Sequence, residues 1–154
     1  MTDMALKLSE GDVFPAFSLP DQDGKVWSDG DLRGTPSIVY FYPKDDTSGC
    51  TAEACGIRDQ FPRFVNVRVF GVSPDSVKSH KKFAKKYDLP FTLLADESKE
   101  LCESVGIWVE KSMYGKKYMG VERTTFLVGS DGKIQKIWSK VKPEGHEAEM
   151  LAAI

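Results

Sequence analysis

Apolar and polar positions switch between two periods along this chain, and each switch marks an element. Residues 37–42, Ser-Ile-Val-Tyr-Phe-Tyr, form an unbroken β-branched and aromatic run that reads as a buried strand. Beyond it the apolar positions Cys50, Ala54, Ile57 and Phe61 recur at helical spacing, so an amphipathic helix opens at Cys50, with Pro62 close to its end. Residues 67–73 predict a second strand, and Pro74 stands where the first residue of a second helix belongs. On that helix Val77, His80, Phe83, Ala84 and Tyr87 share one arc, opposite Lys78, Lys81, Lys82, Lys85 and Lys86. His80, in the middle of the apolar arc, reads as a satisfied core histidine. Residues 89–94 predict a short strand and 98–105 a short helix ended by Gly106. Two strands, Thr124–Val128 and Ile134–Trp138, then pair through an Asp131-Gly132 turn, and residues 145–154 predict a last helix. Upstream, residues 14–19 and 25–27 flank a turn at Gly24 as an N-terminal β-hairpin. Asp21 and Asp23 belong to that turn, because no further calcium ligands follow at loop spacing.

Strands alternating with helices and closing in a hairpin predict an α/β fold with a central mixed β-sheet flanked by helices. The order β-α-β-α-β-β-α is that of a thioredoxin-like fold. With 154 residues, no repeat and no linker, the expectation is a single domain spanning 1–154. Lysine and arginine number 21 against 23 aspartate and glutamate, a net charge of -2, so no global field invites nucleic acid. Residues 1–7 carry no basic segment followed by an apolar one, and no run reaches the roughly 18 apolar residues of a membrane span. A soluble, cytoplasmic protein is expected. Three cysteines are an odd count, which fits a reducing compartment where thiols do chemistry.

Cys50 is the candidate nucleophile. It lies at the carboxyl end of a strand, where α/β folds place their chemistry, and at the start of a helix, whose free N–H groups favour the reactive thiolate. Cys55 follows five residues later. Five residues of helix rotate the side chains about 140° apart and separate the Cα atoms by roughly 8.7 Å. A disulfide needs less than about 7 Å, so the pair can bond only if the helix start unwinds. The spacing therefore predicts a two-state element, reduced and helical or oxidised and locally unfolded. Other chemistries lack their residues. No Cys-x-x-Cys is present, the Cys and His positions do not offer four zinc ligands, and no glycine-rich nucleotide loop occurs. His80 and His146 are both remote from the motif in sequence, which gives a cysteine hydrolase poor support and leaves only their proximity in space open. Cys102 has no motif around it and reads as structural, with a part as an alternative disulfide partner still open.

The pattern Pro43-x-x-x-Thr47-x-x-Cys50 resembles the active-site motif of the peroxiredoxins, and the longer string from Phe41 to Cys55 looks like the bacterioferritin-comigratory, or peroxiredoxin Q, class. The segments Ser73-Pro74-Asp75, Leu93-Leu94-Ala95-Asp96 and Arg123-Thr124-Thr125-Phe126-Leu127 extend the resemblance over nearly the whole chain. It implies a thiol-dependent peroxidase acting on hydrogen peroxide and organic hydroperoxides. Cys50 would be peroxidatic and Cys55 resolving, with a Cys50–Cys55 disulfide recycled by thioredoxin or a similar dithiol reductant. Thr47 would place its hydroxyl at the peroxide, Pro43 would shield the thiolate, and the N–H groups of Gly49 and Cys50 would hold the peroxide oxygens. Arg123 would reach the sulfur from across the site, positioned by a salt bridge from Glu53. No cofactor, metal or membrane is implied, and an intramolecular pair needs no second subunit, so a monomer is expected. The class often has proline where this chain has Ser48. Two other readings stay open at this stage: a glutathione-peroxidase-like thiol peroxidase, and a peroxide sensor or redox-switched binding protein using the same unwinding.

Overall fold

The computed structural model describes residues 6–154, so the first five of the seven N-terminal residues considered for a leader lie outside the described residues. Among the described residues nine strands and four α-helices follow in order: β1 Ser18–Pro20, β2 Val26–Ser28, β3 Ser37–Phe41, α1 Ser48–Asp59, β4 Arg68–Ser73, α2 Val77–Tyr87, β5 Thr92–Ala95, α3 Glu100–Val105, β6 Trp108–Met113, β7 Lys116–Val121, β8 Thr124–Val128, β9 Ile134–Trp138 and α4 His146–Ala153. The main sheet has the order β5-β4-β3-β8-β9. Its first three strands are parallel, β8 runs antiparallel to β3, and β9 runs antiparallel to β8, which makes the sheet mixed. This is the expected thioredoxin-like α/β architecture, with β1 and β2 as its N-terminal hairpin.

The two faces of the sheet follow from the two-residue period of β3, whose five residues are all buried. Ile38, Tyr40 and, just beyond the strand, Tyr42 face one way and pack with Cys50, Ala54 and Ile57 of α1, Phe83 of α2 and Met150 of α4. Val39 and Phe41 face the other way, toward Leu101, Cys102 and Val105 of α3 and toward Phe14 and Leu32. Gly71 on β4 makes room for the first face, since a Cβ there would come 2.9 Å from both the Tyr40 ring and Leu93. The Asp21 carboxylate is consumed by its turn: Oδ1 accepts from the N–H groups of Asp23 and Lys25, and Oδ2 from Trp27 Nε1.

Several boundaries differ from the sequence reading, among them β1, which covers Ser18–Pro20 rather than residues 14–19, and α3, which starts at Glu100 rather than at residue 98. Helix α2 starts at Val77 rather than at Pro74, because Ser76 is its N-cap and accepts from the Ser79 N–H. β5 begins at Thr92, after Pro90, which has no N–H for a ladder. Helix α1 begins at Ser48, so Cys50 is its third residue rather than its first. A larger difference is the β6–β7 hairpin, which the periodicity did not predict. It forms its own two-stranded sheet, turning at Tyr114 and Gly115 with φ of 52° and 77°.

Candidate active site

Where β3 ends, residues 43–47 form a short loop that delivers the chain to the N-terminus of α1. Thr47 is the N-cap residue by backbone geometry, and its carbonyl accepts the first helical hydrogen bond, from Thr51 N–H at 2.8 Å. Its hydroxyl does not cap the helix. It donates to the Lys44 carbonyl at 2.9 Å, which leaves its oxygen free to accept. The N–H groups of Ser48, Gly49 and Cys50 belong to the first turn and have no acceptor within the helix. Pro43 is half-buried at the start of the loop.

Cys50 is 1% exposed, and its sulfur is gripped by one residue that stands just before β8, the neighbour of β3. Arg123 Nη2 donates to Cys50 Sγ across 3.0 Å, while Nη1 donates to Glu53 Oε1, also at 3.0 Å. Cys50 and Glu53 are three residues apart on α1, so they share a helix face and one planar guanidinium spans both. Arg123 does not lie in β8, which begins at Thr124; it sits in the two-residue link after β7. The unpredicted hairpin therefore carries the chain up to this arginine. Gly49 admits it: a Cβ there would stand 3.0 Å from Arg123 Nη2 and 3.3 Å from Pro143 Cγ.

The site's electrostatics pit burial against this one cation. Burial drives the Glu53 carboxyl up to about 7, even though the adjacent Arg123 pulls it down. Tyr40, fully buried in the same apolar cluster as Cys50, is pushed well above 10 by burial, with the Glu53 and Cys50 charges adding to it. Its hydroxyl has no hydrogen-bond partner among the described residues. Lys111 on β6 is pulled down, first by burial, with Glu122 opposing and Arg123 adding to the effect. Sequence reasoning missed Tyr40, Lys111 and Pro143. Nothing local points to Lys111 or Pro143.

The remaining candidates fall apart in space. Cys55 is in α1 with Cys50, partly exposed and unpaired, and burial raises its thiol above the ordinary value. Cys102 packs against the opposite face of the sheet from Cys50, which sets aside its part as an alternative partner in this fold. His80 and His146 are fully buried, and each ring is hydrogen-bonded on both nitrogens to groups other than Cys50. No helix among the described residues is long and apolar enough to cross a membrane.

The chain that carries this buried cysteine, arginine and glutamate has known relatives. Residues 11–137 match the AhpC/TSA family. The chain is 48% identical over 151 residues to a putative peroxiredoxin bcp of Coxiella burnetii, covering 97% of this chain and 100% of that protein. The chain belongs to the AhpC/TSA family, as a peroxiredoxin of the Bcp, or peroxiredoxin Q, class. Solved structures agree. Peroxiredoxin Q of Xylella fastidiosa superposes with a TM-score of 0.89 at 34% identity, covering 95% of this chain and 94% of that one. The bacterioferritin comigratory protein of Xanthomonas campestris, which has alkyl peroxide reduction activity, superposes at 0.86 with 36% identity over 96% of both chains. This peroxiredoxin is a thiol-dependent peroxidase, an enzyme that takes peroxide substrates and a thiol reductant.

Proposed function

We propose that Cys50 is the peroxidatic cysteine and Cys55 the resolving one. The observation that carries the reading is the Arg123 fork, which donates to Cys50 Sγ and to Glu53 Oε1, each at 3.0 Å. A fixed cation on the sulfur favours the thiolate, the attacking form. The thiolate attacks one peroxide oxygen, the O–O bond breaks, and the electron pair leaves on the other oxygen, which takes a proton as water or alcohol. Cys50 is left as sulfenic acid. In this reading the free N–H groups of Gly49 and Cys50 and the accepting oxygen of Thr47 receive the peroxide, and Arg123 offsets the charge that develops on the leaving oxygen. Half-buried Pro43 covers the loop side without adding a donor.

The Cys55 thiol then condenses with the Cys50 sulfenic acid, expelling water and forming a disulfide. Both residues lie in one unbroken helix, Ser48–Asp59, so that step requires the first turns of α1 to unwind. Unwinding also relieves the burial that keeps the Cys55 thiol protonated. The exposed disulfide is reduced by thioredoxin or a similar dithiol, whose thiolate attacks one sulfur and whose second thiol completes the exchange. Hydrogen peroxide and organic hydroperoxides both suit a site that grips only the O–O unit. With resolution inside one chain the working unit is a monomer, one domain spanning 1–154, and its three free cysteines suit a reducing cytoplasm.

Two variants test this. Cys50→Ser abolishes peroxide turnover with thioredoxin and its reductase, whereas Cys55→Ser still forms the Cys50 sulfenic acid, trapped with dimedone, and stops recycling. Normal multiple turnover by the Cys50→Ser protein refutes the assignment.

A further inference from the structure

The loop of residues 43–47 is held from behind by buried polar groups to which the peroxide chemistry gives no part. Asp45 is their centre. Its Oδ1 accepts from the Tyr42 hydroxyl at 2.5 Å, and its Oδ2 accepts from Ser79 Oγ at 2.8 Å and lies 2.7 Å from His80 Nδ1. Its own N–H donates to Asp75 Oδ2 at 2.8 Å, an oxygen that also accepts from Ser73 Oγ at 2.6 Å. His80 is fully buried, and its other ring nitrogen, Nε2, lies 2.9 Å from the Leu94 carbonyl. A carbonyl only accepts, so Nε2 carries a hydrogen, and the Nδ1 to Oδ2 contact must hold one further proton between ring and carboxylate.

The next residue is tied to the same helix. Asp46, at a φ of 59°, accepts from Lys86 Nζ and from the Tyr87 hydroxyl, both at 2.8 Å. Four side chains of α2, those of Ser79, His80, Lys86 and Tyr87, thus bond two successive loop residues. The ligand-type atoms of Asp45, Asp75 and His80 lie within 4.8 Å of one another, yet each already has a protein partner, which is the pattern of an anchor. Tyr42 supports it, since burial and Asp45 push its phenol well above 10 and so keep its hydrogen on the Asp45 bond.

We propose that His80 and Asp45 are positioning residues for the peroxide step: their buried pair fastens the 43–47 loop to α2 and thereby fixes the Thr47 hydroxyl and the first turn of α1 opposite Arg123. This rests on the assignment of Cys50 as the reacting thiol. The geometry makes the dependence direct. Thr47 Oγ1 is bonded to Lys44, the residue next to Asp45, and the cation that faces the loop arrives separately, from the link after β7. The two halves of the site meet correctly only if each is held on its own side. Release of the loop lets Thr47 and Cys50 drift from the guanidinium without unfolding the sheet.

The test is the single-turnover rate of Cys50 oxidation by hydrogen peroxide, followed by rapid quench and alkylation well below the thermal transition. His80→Phe slows it by about ten-fold or more, as misplacement of reacting groups by about an ångström does. Asp45→Asn keeps the contacts in neutral form, its amide donating to Nδ1 of a neutral ring and, with the bond reversed, to Ser79 Oγ, and its oxygen accepting from Tyr42, and stays within about three-fold of the parent. A folded His80→Phe protein with a lower melting temperature but an unchanged rate overturns the proposal, as does an Asp45→Asn protein slowed as much as His80→Phe. Should His80→Phe fail to fold, Ser79→Ala decides: faster amide exchange at residues 44–47 with slower oxidation supports it, and an unchanged rate overturns it. Turnover by Cys50→Ser would instead sink the assignment of the thiol, which none of these variants addresses.

Discussion

Cys50 and Cys102 occupy the same place in two helices and have opposite surroundings. Each is the third residue of its helix, α1 for Cys50 and α3 for Cys102, and each is at most 1% exposed. At α1 the side chain brought to the sulfur is a guanidinium, Arg123. At α3 the helix start is closed by a carboxylate: Asp96 accepts from the N–H groups of Leu101 at 3.2 Å and Cys102 at 2.9 Å. Burial first, and then Asp96, drive the Cys102 thiol far up, which fixes it as an apolar filler of the core. The two sulfurs share a helix start and differ in the charged side chain beside them, a guanidinium at Cys50 and, added to burial, a carboxylate at Cys102.

Removing the guanidinium from beside α1 is the strongest way to break the contrast. Arg123→Met should slow oxidation of Cys50 by hydrogen peroxide by about 100- to 1000-fold, the usual cost of losing one preorganised donor from such a site. Stopped-flow oxidation of the reduced protein measures it, and a loss below about three-fold would mean that the helix start suffices. Glu53 gives a second handle, read in stability. Its folded value of about 7 stands above the ordinary 4.5, so the folded state binds the proton more tightly than the unfolded chain. Stability from this group is complete below 4.5, falls as pH rises toward 7, and is level above that; the shift corresponds to roughly 3 kcal/mol. Urea unfolding at pH 5 and pH 8 should show that loss in the parent and not in Glu53→Gln, and parallel profiles would contradict it. The smallest effect is on the inert side. In a protein lacking the other two thiols, Asp96→Asn should raise the alkylation rate of Cys102 by a few-fold, about what removal of one nearby anion gives at a site still closed by burial. An unchanged rate would leave burial as the whole cause of its inertness.

How legible each part was depended on how locally it is determined. β3 and α1 showed in the chain because their apolar periods are undisturbed, and Cys50, Thr47 and Pro43 lie within eight residues of one another. The contrast with β6 and β7 is instructive. Lys111, Lys116, Lys117 and Glu110 fill a ribbon that is largely open to water, so little alternation survives, and its turn uses Tyr114 before Gly115 instead of the usual asparagine or aspartate. Arg123 could be named from its motif, but its approach over Gly49 and against Pro143 depends on three separated segments meeting. His80 was rightly read as a satisfied core histidine, yet its partner Asp45 is 35 residues away and beyond any local pattern. Pro74 misled because a proline suits a helix start in general, whereas Ser76 supplies the cap bond that sets this one.

The β6–β7 ribbon pairs only with itself, and its tip is open: Tyr114 is 97% exposed, with Met113 at 56% and Met119 at 49%. Arg123 thus stands between this ribbon, which shares no backbone ladder with the main sheet, and β8, which begins one residue later at Thr124. For anyone redesigning the enzyme this makes the ribbon a replaceable module. Its length and composition can be varied to reshape the rim around the sulfur, provided the graft returns the chain to Glu122 and Arg123 in register, while the strands that fold the molecule stay untouched.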